Sequence, residues 1–167
     1  MEASEPTTNS RRALIAARLN HVRGWLDSTL DHVPADIVDW APREGMRTIG
    51  GQLVEIAWIE IPLVARLKGG GHPGEAAVEA MIGDQHSLEN LRRVLTDVRR
   101  ETLAYLDSIT DEELWQEIPT VDAFYGTLWL PSMPRAEHII NVAEHEFYHV
   151  GQLISYLWAR GDDPYAW

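Results

Sequence analysis

The sequence predicts an all-α protein, a four-helix bundle, from three observations. Four long segments repeat apolar residues at three- and four-residue spacing, the period of a helix with one packed face. Strong stop signals separate or close them: Pro34, the run Gly69-Gly70-Gly71-His72-Pro73-Gly74, and Gly161 followed by Asp163-Pro164. The connections are short to medium, which suits helices packed around one shared core.

The first segment runs from about Arg11 to Leu30, with Ile15, Leu19, Val22, Leu26 and Leu30 as its stripe and Trp25 at the edge. After Pro34, a polar stretch with Trp40, Pro42 and Gly45 reads as an ordered loop, since a loop tryptophan usually packs on something. The second segment, about Thr48 to Leu67, aligns Leu53, Ile56, Ala57, Val64 and Leu67; Pro62 is expected to kink it or end its first half. The third, about Asp84 to Ile109, aligns Leu88, Leu91, Leu95, Val98, Thr102, Tyr105, Leu106 and Ile109. Thr110-Asp111-Glu112-Glu113 fits a capping box for a short extra helix. Gln116 to Met133 has no helical period, and Phe124-Tyr125-Gly126-Thr127 suits a turn or short strand. The fourth segment starts near Pro134, a favourable first-turn residue, and ends at Arg160-Gly161. The expected organisation is one domain over residues 11–167 behind a flexible polar tail, residues 1–10.

Composition narrows the function classes. A net charge of −12 argues against nucleic acid and against an anionic membrane as partners, because both need a basic face. The absence of cysteine removes disulfides, thiolate ligands and a cysteine nucleophile together. Met1–Ser10 has no apolar core and does not read as a secretory signal, and no apolar run approaches membrane-spanning length. A cytoplasmic location is the default expectation.

His145 and His149 carry the chemistry. Residues four apart share a helix face, so two imidazoles at this spacing can hold one metal ion. A stable open site needs a third protein ligand, and Glu55 is the candidate: it is a charge set among Leu53, Val54, Ile56 and Ala57 on the second segment. Two histidines and a carboxylate form a known open arrangement. His138 and Asn141 fall on the same face as His145, and Tyr148 and Gln152 flank His149, so all four are candidates for the pocket or the surround of the ligands. Glu146 is rotated about 100° from His145, placing it beside the metal or in solvent. The remaining histidines, His21, His32, His72 and His86, have no partner spacing and read as surface residues. Trp115, Trp129 and Trp158 fit core or interface packing better than a ligand cleft.

His145-Glu146-Phe147-Tyr148-His149 also matches the His-Glu-x-x-His pattern of zinc proteases. That reading is the weaker one. Only eighteen residues follow His149, with no histidine or glutamate among them, and Asp162 and Asp163 lie beyond the helix cap. A strand-rich region to hold a peptide is missing as well.

Two stretches carry a family resemblance: Thr48-Ile49-Gly50-Gly51-Gln52-Leu53-Val54-Glu55 with Ile56-Ala57-Trp58-Ile59-Glu60, and Glu144 to Leu153. Through them most of the chain resembles the DinB-like superfamily of small four-helix metalloproteins. The family pattern is one histidine in the second helix and a His-x-x-x-His pair in the last. His145 and His149 match the pair; Glu55 stands where the family has histidine. Val150 stands where many relatives carry arginine. The resemblance implies an unusual bundle topology, a divalent metal (Zn, Ni, Mn or Fe) and a homodimer. It also implies a small-molecule substrate, with metal-dependent hydrolysis or transfer of a low-molecular-weight thiol as the reaction. The alternative it leaves is a non-catalytic stress- or damage-response binding module. The carboxylate in place of imidazole favours harder metals or a weakened site.

Overall fold

The computed structural model describes residues 10–120 and 130–167. Its helices are α1 (Arg11–Leu30), α2 (Ile49–Leu67), α3 (Glu75–Ile82), α4 (Leu88–Ser108) and α5 (Arg135–Ala159). Three single-turn 3-10 segments punctuate them at Ala35–Ile37, Glu113–Trp115 and Pro164–Ala166. Strand β1 (Glu117–Pro119) pairs antiparallel with β2 (Ser132–Pro134), Ile118 opposite Met133. The Phe124–Thr127 turn and Trp129 lie outside the described residues, as does nearly all of the N-terminal tail.

The four long helices form the expected bundle. α1 packs beside α5 and α4, and α2 packs beside the same two. α1 and α2 therefore occupy opposite corners, as do α4 and α5. Each end is set by local chemistry. Thr48 accepts from the Gly51 N–H at the start of α2, and Ser87 accepts from the Asn90 N–H at the start of α4. The Thr110 hydroxyl accepts from the Glu113 N–H at 3.2 Å while the Glu113 carboxylate accepts from the Thr110 N–H at 2.7 Å, so the capping box is formed. Gly161 adopts φ +100°, the left-handed turn that ends α5.

Three local expectations are corrected. Of the two outcomes expected of Pro62, ending the first half of α2 is excluded: the helix continues to Leu67, its apolar face buried on both sides of the proline. The third long helix begins at Leu88 rather than Asp84, because Ser87 supplies the cap and 84–87 form a turn. The segment after the glycine run forms α3, which buries Val78 and Ile82 against α2 and α4.

The core has two apolar clusters. One gathers Leu26, Leu30, Leu53, Ile56, Ala57, Ile61, Leu91, Leu95, Val150 and Leu153. The other gathers Ile15, Leu19, Val22, Leu63, Tyr105, Leu106, Ile139, Val142 and Ala143. On each of the four long helices one charged residue sits where the clusters meet: Arg23, Glu60, Arg99 and Glu146, all buried. Arg23 grips Glu146 with two donors, Nε to Oε1 at 2.8 Å and Nη2 to Oε2 at 3.1 Å. Arg99 grips Glu60 in the same way, at 2.8 and 3.2 Å. Each arginine also reaches the other carboxylate. The remaining donors find backbone oxygens, Arg23 on Leu95 and Arg99 on Leu19, and the Thr102 hydroxyl donates to Glu60. Burial alone would lower the Arg99 pKa, but the two carboxylates outweigh it and raise it. Two positive and two negative charges thus form a neutral, hydrogen-bonded layer across the bundle.

Candidate metal centre

α2 and α5 are neighbours, and their seam brings together Glu55, His145 and His149. His145 and His149 are one turn apart on α5 and point inward, both buried. Their Nε2 atoms lie 3.2 Å from each other. Glu55 approaches from α2, its Oε2 3.6 Å from His149 Nε2, and the three ligand atoms all lie within 4.8 Å of one another. Ligands about 2.1 Å from a shared tetrahedral ion stand roughly 3.4 Å apart, so the 3.2 and 3.6 Å separations suit neighbouring ligands of one ion, and the same Glu55 Oε2 also meets Arg47.

The tautomer of His149 supports the same orientation. Its Nδ1 lies 3.2 Å from Oε1 of buried Gln52, an acceptor one turn before Glu55 on α2. With Gln52 Oε1 as the acceptor, the ring proton sits on Nδ1 and the Nε2 lone pair faces the other two ligands. Gln152 also hydrogen-bonds to His149. Both imidazoles are held neutral: burial, with Arg47 adding to it, lowers His145 to about 4, and burial, with His145 and then Arg47, lowers His149 to about 4. Neutral imidazole is the form that binds metal.

Glu55 is the exposed edge of the trio. Its carboxylate is ion-paired to Arg47, which precedes the α2 cap and is half-exposed. Tyr148, 62% exposed, stands edge-on to the His149 ring at 5.3 Å between centroids. The donor set, one carboxylate and two pre-oriented neutral imidazoles, fits a divalent ion.

The other sequence candidates fall elsewhere. Glu146 is neither beside the metal nor in solvent. It is fully buried and held by Arg23 and Arg99, so it cannot act as the general base that a His-Glu-x-x-His protease needs. His138 is buried two turns away, with Nε2 3.2 Å from the Ile118 carbonyl of β1; it joins the hairpin to α5. Asn141 is half-buried one turn before His145. Trp115 stacks beneath the Arg11 guanidinium at 4.1 Å, and Trp158 meets Tyr165 edge-on; both are about half-exposed rather than core. The ring of Trp167 stacks on His32 at 4.3 Å, in the turn that follows α1. Open clefts of about 490 and 360 Å³ lie along α1, one lined by His21, Trp25, Ile154 and Trp167, the other by Leu14, Arg18 and Trp115. Neither contains a member of the trio. Among the described residues no helix is long and apolar enough to cross a membrane.

Sequence reasoning missed Gln52 and Arg47. Gln52 had a readable signal: a polar side chain between Ile49 and Leu53, one turn from Glu55 and on the buried face. Arg47 lies in a polar loop and gives no signal before the fold is known.

A solved structure described as a conserved protein from Enterococcus faecalis is similar in fold, with a TM-score of 0.70 and 14% sequence identity over 95% of this chain and 99% of that one. No curated protein matches the sequence. The family model of the DinB superfamily matches residues 12–153, which include all of α1 but its first residue and the whole Glu55-His145-His149 constellation. This chain belongs to the DinB superfamily.

Proposed function

We propose that the protein is a divalent-metal-dependent enzyme acting on a small molecule, with Glu55, His145 and His149 as the metal ligands. The observation that carries this reading is the convergence of three ligand atoms on one point, with Gln52 fixing the tautomer of one of them. A bound divalent ion would supply a water or thiol nucleophile near neutral pH by lowering its pKa. The chain's own part is to present two neutral imidazoles, to keep apolar walls behind them, and to leave Glu55 partly exposed at the edge of the trio beside Arg47. Hydrolysis and transfer of a low-molecular-weight thiol are the two reactions consistent with that equipment. Zn, Ni, Mn and Fe all suit a carboxylate-imidazole set.

The test is elemental analysis of untagged protein, followed by thermal melts with each of the four metals. The expected result is near one ion per chain, or a rise in Tm that the Glu55→Ala, His145→Ala and His149→Ala variants each lose. No bound metal and no shift with any ion would overturn the reading. One observation favours a second reading, a metal-free binding module: Arg47 already neutralises Glu55. In that case the three alanine variants together leave cellular phenotype and partner binding intact.

A further inference from the structure

The side chain of Arg47 is seated at the mouth of the trio rather than adrift on the surface. Its backbone carbonyl accepts a hydrogen bond from the Tyr156 hydroxyl at 2.9 Å, which ties the loop to α5. Its stem crosses Gly51, where an added Cβ would stand 2.8 Å from Arg47 Cγ. A side chain at position 51 would therefore push the arginine aside. The guanidinium then lands on the carboxylate of Glu55, the one anionic member of the trio.

Charge decides what this arrangement can recognise. Two neutral imidazoles and one carboxylate around a divalent ion leave a net charge of +1. A ligand drawn onto the ion cannot give Arg47 its full complement as well, so the guanidinium adds a second positive charge beside the open positions. The chain as a whole carries −12 and repels anions at long range, so an anion can be held only by a local cation. A planar guanidinium fork matches a planar carboxylate, and Arg47 already holds one, that of Glu55.

We infer that Arg47 is the substrate anchor of this centre and that the substrate is a small carboxylic acid, its carboxylate on Arg47 and its reacting group at the metal. This rests on the metal reading above. The test uses the full-length protein loaded with cobalt(II), whose visible spectrum reports both metal occupancy and a thiol entering the site. The probes are 3-mercaptopropionate, 2-mercaptoethanol as its neutral counterpart, and 2-mercaptoethanesulfonate as a tetrahedral monoanion. Wild-type protein is expected to bind the carboxylate at least about tenfold tighter than the neutral thiol, as one charged hydrogen-bonded pair would give. Arg47→Gln is expected to remove that preference while keeping cobalt, and Arg47→Lys to keep part of it. Gly51→Ala, which leaves the charge but displaces the stem, is expected to weaken the preference too. A preference that survives in Arg47→Gln overturns the anchor and leaves the metal centre standing. Equal or tighter binding of the sulfonate overturns the carboxylate class. Failure of the wild-type protein to bind cobalt overturns the metal centre and the anchor together.

Discussion

Two polar clusters sit within one bundle, and they are built on opposite principles. The layer of Arg23, Glu60, Arg99 and Glu146 draws one residue from each long helix, is sealed from water and cancels its own charge. The trio of Glu55, His145 and His149 draws on two helices, reaches the surface at Glu55 and gathers lone pairs with few donors to satisfy them. The first cluster is complete as it stands. The second has an open edge, with Arg47 at its rim. Burial by itself therefore does not mark function: the more deeply buried cluster is structural, and the one with an open edge is the candidate for chemistry.

The largest break should come from the closed cluster. Glu146→Ala leaves Arg23 and Arg99 facing one carboxylate in a dry layer, and is expected to cost about 3–5 kcal/mol in urea unfolding. Replacing all four charges with apolar residues of similar volume should cost far less than that single change, since no stranded charge remains. A mild Glu146→Ala effect would show that water enters the layer.

The trio should give the next effect, through pH. Both histidines have folded pKa values depressed to about 4, below the ordinary 6.5. The unfolded chain takes up protons first as pH falls, so metal-free stability should be full above about pH 6.5 and decline towards pH 4, by an amount on the order of a few kcal/mol. His145→Leu together with His149→Leu should flatten that slope in denaturation curves measured across this window. An unchanged slope would mean that other groups govern acid stability.

Smaller effects sharpen the contrast. Gln52→Leu should weaken metal binding about 10–100-fold by releasing the His149 tautomer, read by competition with a metal indicator. Arg47→Ala should shift metal-free stability by no more than about 1 kcal/mol, because the Arg47–Glu55 pair is substantially exposed. A large loss from Arg47→Ala would place it with the structural cluster instead.

The bundle was legible because apolar period and stop signals act locally. The pair His145 and His149 was legible because a spacing of four has one geometric meaning on a helix. Glu55 and Glu60 show where such legibility ends. Both are single charges among apolar neighbours on α2, and that pattern alone cannot say which meets arginines and which meets imidazoles. The answer depends on Arg23 and Arg99, which lie 37 and 39 residues from Glu60. Glu146 was misleading for the same reason: its place in a known motif suggested catalysis, while its partners are 123 and 47 residues away. α3 escaped notice because eight residues hold too few apolar positions to reveal a period beside a glycine-rich run.

His145 and Glu146 are consecutive on one continuous 25-residue helix, and this adjacency has a mechanical outcome. Turning α5 by a single residue, about 100°, would in one sense swing the carboxylate to where His145 stands and in the other bury an imidazole among guanidinium groups. The arginine clamp thereby fixes the azimuth of the helix, and with it the aim of both nitrogen donors. Substitutions around the rim, at Glu55 for example, can then change the set of facing groups without the helix losing its bearing.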